Sequence, residues 1–194
     1  AGKRAVDYIL PKLEDDPALR GAMEVARTRH PSESILFNID TIAPNQGRTE
    51  AGALLAAFIK VFNRHCGYFD GDQQHIAKME YDLDREGLLD AFIAKVEEAT
   101  GKAWVDVRKA ALLHAAKITT AFDEVCGNEP GTTDNAVRYY QQTYKPDIHS
   151  FAVRVKEYID DHEPGFRLNF FVDEVGQFIA KDSNLMTNLQ SVAE

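Results

Sequence analysis

Two short apolar runs interrupt a chain whose hydrophobic positions otherwise recur at three- and four-residue intervals. The first is Ser34-Ile35-Leu36-Phe37-Asn38-Ile39-Asp40, and the second is Leu168-Asn169-Phe170-Phe171-Val172-Asp173-Glu174. Runs of this length bounded by breakers (Pro31-Ser32 before one, Pro164-Gly165 before the other) predict strands buried on both faces of a parallel sheet. Both end in carboxylates. Between them the period is helical. Thr49 to His65 carries Leu54, Leu55, Phe58, Ile59 and Phe62 on one face. Gln73 to Glu86 and Gly87 to Thr100 follow, the latter stopped by Gly101.

The helical reading continues over Trp104 to Cys126, with Trp104, Val107, Ala111, His114 and Ile118 along one side. Gly127-Asn128-Glu129-Pro130-Gly131 breaks the pattern before a short helix over Thr133 to Thr143. Asp147 then caps a helix to about Asp161, with Ile148, Phe151, Val155, Tyr158 and Ile159 inward. Upstream, Arg4 to Leu13 has helical spacing, and Pro17 to Arg27 reads as a helix capped by Asp16. Asn184 onward begins another. Thus residues 1–48 hold helices and the first strand, 49–163 a helical insertion, and 164–194 the second strand and its following helix. The class is α/β and predominantly helical, with two buried parallel strands flanking the insertion. Two strands do not make a stable sheet unaided. More strands outside these residues, or shielding by the helices, must complete it.

Composition narrows the function classes. With 194 residues, 44% hydrophobic and 27% charged, the chain suits one soluble domain with a real core. No apolar run is long enough to span a bilayer, and no basic-then-apolar leader opens the sequence, so a cytoplasmic protein is expected. The first residue is not Met, which suits a piece of something longer. A net charge of −9 argues against a non-specific DNA grip. The cluster Arg20, Arg27, Arg29 and His30 is interrupted by Glu24 and reads as a solvated helix face. Cys66 and Cys126 lie outside any ligand spacing and are expected as reduced thiols. His65 beside Cys66 brings no assignable base, so a packed cysteine is the simpler reading. Tyr139, Tyr140, Tyr144, Phe151 and Tyr158, at helical spacing, are read as core rather than as a base-stacking platform.

The chemistry concentrates at Asp173 and Glu174. Two adjacent acids at a strand's C-terminal edge are costly unless they hold a cation or act on a substrate. In nucleotide hydrolases such a pair forms the Walker B pattern, in which the Asp associates with Mg²⁺ and the Glu orients the attacking water. Gln177, three residues on, is placed to position water or sense a γ-phosphate. A phosphate cradle of the form GxxxxGK[ST] is absent from the sequence. A rival reading pairs Asp40 with Asp173 at one sheet edge, as in Mg²⁺-dependent phosphohydrolases and nucleases. A third takes the insertion as a helical protein-interaction module.

The runs Ser34 to Asp40, Phe170-Phe171-Val172-Asp173-Glu174-Val175-Gly176-Gln177-Phe178-Ile179 and Asn184-Leu185-Met186-Thr187-Asn188-Leu189-Gln190 resemble the large P-loop protein of the bacterial BREX phage-exclusion system, the BrxC/PglY family. The opening Gly2-Lys3-Arg4-Ala5-Val6-Asp7-Tyr8 is similar to that family's stretch after its phosphate loop, so the resemblance covers nearly the whole chain. It implies an AAA-like ATPase domain, seen here from after Walker A to just past Walker B. It also implies ATP and Mg²⁺ as cofactors of the parent, with Asp173 matching the metal-associated Asp and Glu174 the water-activating Glu. Partners implied are a DNA methyltransferase and other BREX components, with self-association left open. Lacking Walker A, the 194 residues alone are expected neither to bind nor to hydrolyse ATP.

Overall fold

The computed structural model describes residues 9–13, 15–29, 31–42 and 50–174. Expectations placed on 1–8, 43–49 and 175–194, including Gln177 and the closing helix, lie outside the described residues. In chain order the elements are a 3₁₀ turn Leu10–Lys12, α1 (Pro17–Arg29), β1 (Ser32–Asn38), α2 (Ile39–Ile42), α3 (Glu50–His65), α4 (Gln74–Arg85), α5 (Leu89–Thr100) and α6 (Trp104–Val107). A 3₁₀ stretch Arg108–His114 then leads to α7 (Ala115–Val125), α8 (Ala136–Thr143), α9 (Ile148–Asp160) and β2 (Arg167–Asp173).

The termini of the helices follow from their caps. Asp16 Oδ1 accepts the Leu19 N–H at 2.9 Å and opens α1. Asp147 and Ser150 form a reciprocal capping box at α9. Gly101 closes α5 at φ 68°, a conformation that costs glycine little. α8 begins three residues later than its periodicity suggests, because Asn135 rather than Thr133 supplies the cap, accepting the Arg138 N–H. Thr133 is engaged instead by Asp123.

Two expectations need correction. The single helix over Trp104 to Cys126 is broken: Ala110 adopts φ −130°, ψ 42°, and a 3₁₀ stretch separates α6 from α7. The inward stripe Trp104, Val107, Ala111 and Ile118 is nevertheless buried as its spacing implies, whereas Leu113 is 85% exposed. The strands are also not buried on both faces. They pair in parallel, Ser32 opposite Arg167 through Asn38 opposite Asp173. Ile35, Phe37 and Phe170 turn inward, while the register partners Leu36 and Phe171 are 77% and 55% exposed. Strand alternation sends neighbouring residues to opposite faces, and α3 and α9 pack against only one of them.

Two apolar clusters result. One gathers β1, β2, α3 and α9 around Phe58 and Phe62. Phe58 has ring centroids 5.3 Å from Phe37, 5.4 Å from Phe170 and 6.4 Å from Phe151. The other joins α4 to α8 around Ile76, Met79, Phe92, Val96, Val107, Ile118 and Val137. Within it the Glu80 carboxylate is 1% exposed and accepts from Phe69 N (2.5 Å), Trp104 Nε1 (2.6 Å) and Arg108 Nη1 (2.9 Å). A buried charge is tolerated there because three donors converge on it. Of the aromatic set, Tyr140 and Phe151 are core, but Tyr139 is exposed.

Candidate functional site at the sheet edge

Parallel pairing in register makes β1 and β2 end together, so their C-terminal residues Asn38 and Asp173 stand side by side. Ligands of parallel sheets gather at this edge, where strand ends and the loops after them converge. Asp173 is exposed and its Oδ1 accepts the Glu174 N–H at 2.9 Å. That bond bends the chain sharply. Glu174 has φ 62°, and it is the one non-glycine residue with positive φ among those described. Such backbone costs an L-residue about 1–2 kcal/mol and clusters at functional turns.

On the neighbouring strand, Asn38 Oδ1 accepts the Thr41 N–H at 3.3 Å and its carbonyl accepts the Thr41 hydroxyl at 2.9 Å. The chain thereby enters α2 at Ile39, one residue before Asp40. Asp40 is therefore in a helical turn and not at the strand end, and Asn38 is the register partner of Asp173. No group of three or more His, Cys, Asp or Glu side chains suited to holding a metal occurs among the described residues. One exposed carboxylate beside an amide side chain fits Mg²⁺ of the kind that keeps most of its water and leans on phosphate oxygens. It does not fit a cation caged by protein ligands alone. Asp173 would be the contact, and the metal would supply charge neutralisation at a phosphate.

At the other end of the sheet lies a cluster the sequence did not announce. Glu33 Oε2 accepts the Tyr158 hydroxyl at 2.6 Å and lies 2.7 Å from His65 Nε2, while Tyr158 Oη and His65 Nε2 are 3.2 Å apart. His162 stacks on Phe166 at 4.0 Å and bonds the Tyr158 carbonyl through Nδ1 at 2.7 Å. The Tyr158 hydroxyl bond, partly opposed by burial and helped by His65, holds the Glu33 carboxyl below its ordinary value. Glu33 correspondingly pushes the half-buried Tyr158 hydroxyl up, after the larger effect of burial. Cys66 adjoins this cluster, but burial pushes its thiol up to about 12, so it is protonated at neutral pH and a poor nucleophile. The packed-cysteine reading stands. The cluster ties β1 to α3 and α9; it holds no activated nucleophile.

On α1, Arg20 and Glu24 pair at 3.7 Å with both side chains about half exposed, which suits the solvated face expected there. No helix among the described residues is long and apolar enough to cross a membrane. No family model matches this chain, and no solved structure matches it.

Proposed function

We propose that this chain is the strand-edge portion of an AAA-like P-loop ATPase of the BREX BrxC/PglY type, with Asp173 and Glu174 as its Walker B acids. The observation that carries the reading is the coincidence of strand ends. Two strands separated by a long helical insertion are adjacent and parallel, and Asp173 with the strained Glu174 leaves the sheet at their shared C-terminal edge. Asp173 would lean on Mg²⁺ and Glu174 would align the attacking water. Gln177 completes the proposal as a water- or phosphate-sensing amide. The phosphate cradle comes from outside these 194 residues, which contain no GxxxxGK[ST]. The parent works in the cytoplasm with a DNA methyltransferase and other components of the system, and this acidic portion does not itself grip DNA. Glu174→Gln in the full-length protein should abolish ATP turnover while leaving ATP binding intact. Unimpaired turnover by that variant would sink the proposal.

A second reading assigns the helical insertion to protein docking. Around the 3₁₀ stretch, Val105, Leu112 and Leu113 are 50%, 46% and 85% exposed, on the side away from the buried Trp104, Val107 and Ala111. A helical segment apolar on both sides usually has a partner on each. Leu112→Glu with Leu113→Glu should then reduce association with the other components and leave ATP turnover unchanged. Unaltered association would remove this reading.

A further inference from the structure

Arg154 is the one buried cation here whose compensation is incomplete among the described residues. It projects from α9 with 7% of its surface exposed, and Nη2 donates to Asn63 Oδ1 at 2.9 Å. Its Nε is buried without a hydrogen-bond partner, as is Nδ2 of Asn63. No described carboxylate lies within ion-pair distance of it. The acids around it are engaged elsewhere: Glu157 accepts the Tyr81 hydroxyl, Asp84 the Tyr68 hydroxyl, and Asp161 pairs with Arg85. A guanidinium does not shed its proton to escape such a site. Arg108, by contrast, meets Glu80. The aromatic rings do part of the compensation, since the Arg154 guanidinium carbon is 4.6 Å from the Tyr81 centroid and 5.8 Å from that of Phe62.

Arg154 is also a wall of a cleft. Between α4 and α9 a space of about 410 Å³ is lined by Arg154, Lys78, Tyr81, Tyr144, Phe151 and Glu157, among others. That size suits a small ligand. Lys78 stands 5.4 Å from the Tyr81 centroid but is paired with Asp82, so of the two cations near this ring only Arg154 lacks a carboxylate partner among the described residues. The apolar part of the wall is Ile59, Phe151 and Val153. The cleft continues past Lys78, Tyr144 and Ser150 into a second space of about 320 Å³ that reaches Asp82, Tyr139 and Lys145. A buried cation without a paired carboxylate, set against an apolar wall, describes a site for an organic anion.

We propose that the cleft between α4 and α9 binds a small organic anion, with its carboxylate or phosphate against Arg154 and its apolar body against Phe151 and Val153. The site is separate from the strand-edge acids and does not depend on nucleotide hydrolysis. The test is titration of the 194-residue chain, followed by ¹H–¹⁵N spectra that include the arginine Nε–Hε signals. Probes are phenyl phosphate, phenylacetate, inorganic phosphate and, as a neutral control, benzyl alcohol. At least one aromatic anion should shift the Arg154 Nε–Hε signal and the amides of 148–157 saturably, with Kd about 1 mM or tighter. Which aromatic anion binds more tightly identifies the headgroup, and saturation by inorganic phosphate alone assigns the site to free phosphate and overturns the organic-anion proposal. Arg154→Met, which keeps the packing and removes the charge, should abolish the shifts. Lys78→Gln, which leaves the Asp82 carboxylate unpaired beside the cleft, should weaken them several-fold and decides the matter if the Met variant fails to fold. No saturation by either aromatic anion up to about 20 mM, equal shifts with benzyl alcohol, or undiminished binding by Lys78→Gln overturns the proposal.

Discussion

Tyr158 donates its hydroxyl to the Glu33 carboxylate at 2.6 Å, across 125 residues of chain, and thereby fastens the last turns of α9 to the start of β1. His65, from the end of α3, meets the same oxygen at 2.7 Å. The entry of β1 is thus held by polar contacts, while its middle is held by the phenylalanines.

The Glu33 contacts make stability pH-dependent in a definite direction. Hydrogen bonding from Tyr158 first, and from His65 after the opposing effect of burial, depresses the folded-state pKa of Glu33. A depressed carboxylate contributes its stability above the ordinary value of about 4.3 and loses it as pH falls through the folded value. The side chain is 42% exposed, so solvent screening keeps the contribution to about 1 kcal/mol or less. Urea unfolding at pH 7, 4 and 3 should show this acid-side loss, and Glu33→Gln should remove that part of the slope. An unchanged slope in the variant would rule out Glu33 as its source.

Glu80 is the polar centre of the helical block. Truncation to Ala strands the Trp104 indole N–H, the Phe69 amide and the Arg108 guanidinium in a dry interior. Loss of one partner of a buried pair costs about 3–5 kcal/mol. Chemical denaturation of Glu80→Ala should show a loss of that order. A loss below about 1 kcal/mol would mean that water reaches the site.

Phe58 is 4% exposed and carries the edge-on or tilted contacts between α3, both strands and α9. Phe58→Ala should cost about 3–5 kcal/mol. Because Phe37 and Phe170 both lean on it, amides of β1 and β2 should lose hydrogen-exchange protection together. Loss confined to one strand would contradict a sheet held as a unit.

The two thiols should differ sharply in reactivity. Cys126 is exposed, whereas burial pushes Cys66 up to about 12. At pH 8 a thiol of that pKa has only about one part in 10⁴ as thiolate. A disulfide-exchange reagent should therefore modify Cys126 in the native chain and reach Cys66 only as the fold opens. Rapid reaction of both would contradict the packing of Cys66 among α3 and its neighbours.

Much of this fold was legible where the signal is local. The starts of α1 and α9, the end of α5 and the inward stripe of α3 follow from capping residues and spacing read over a few positions. The Ala110 break was not legible, because Lys109-Ala110-Ala111-Leu112-Leu113 contains good helix formers and no breaker. Nor was one-sided burial of the strands. Leu36 and Phe171 look like core in any window, and only the packing of α3 and α9 on a single face distinguishes them. Glu33, His65 and Tyr158 meet across separations of 32, 93 and 125 residues, where spacing carries no information. Of the candidate site, the strand-end acids were visible; the backbone turn at Glu174 was not.

That turn yields the last prediction. Glu174 at φ 62° is held in a conformation that glycine adopts freely. Glu174→Gly relieves the strain but gives the unfolded chain more freedom, so the net gain should be no more than about 1 kcal/mol. A residue kept there only as a strand exit would be improved by the change. If its carboxylate aligns water for hydrolysis, the same change in the full-length protein should abolish ATP turnover. Strain retained at a position where a common residue would remove it suits a role for the side chain. Thermal unfolding of the 194-residue variant and turnover by the full-length one, measured together, separate the cases. A gain in stability with turnover lost supports Glu174 as the hydrolytic residue, whereas a gain with turnover intact leaves it a turn residue and removes the Walker B assignment.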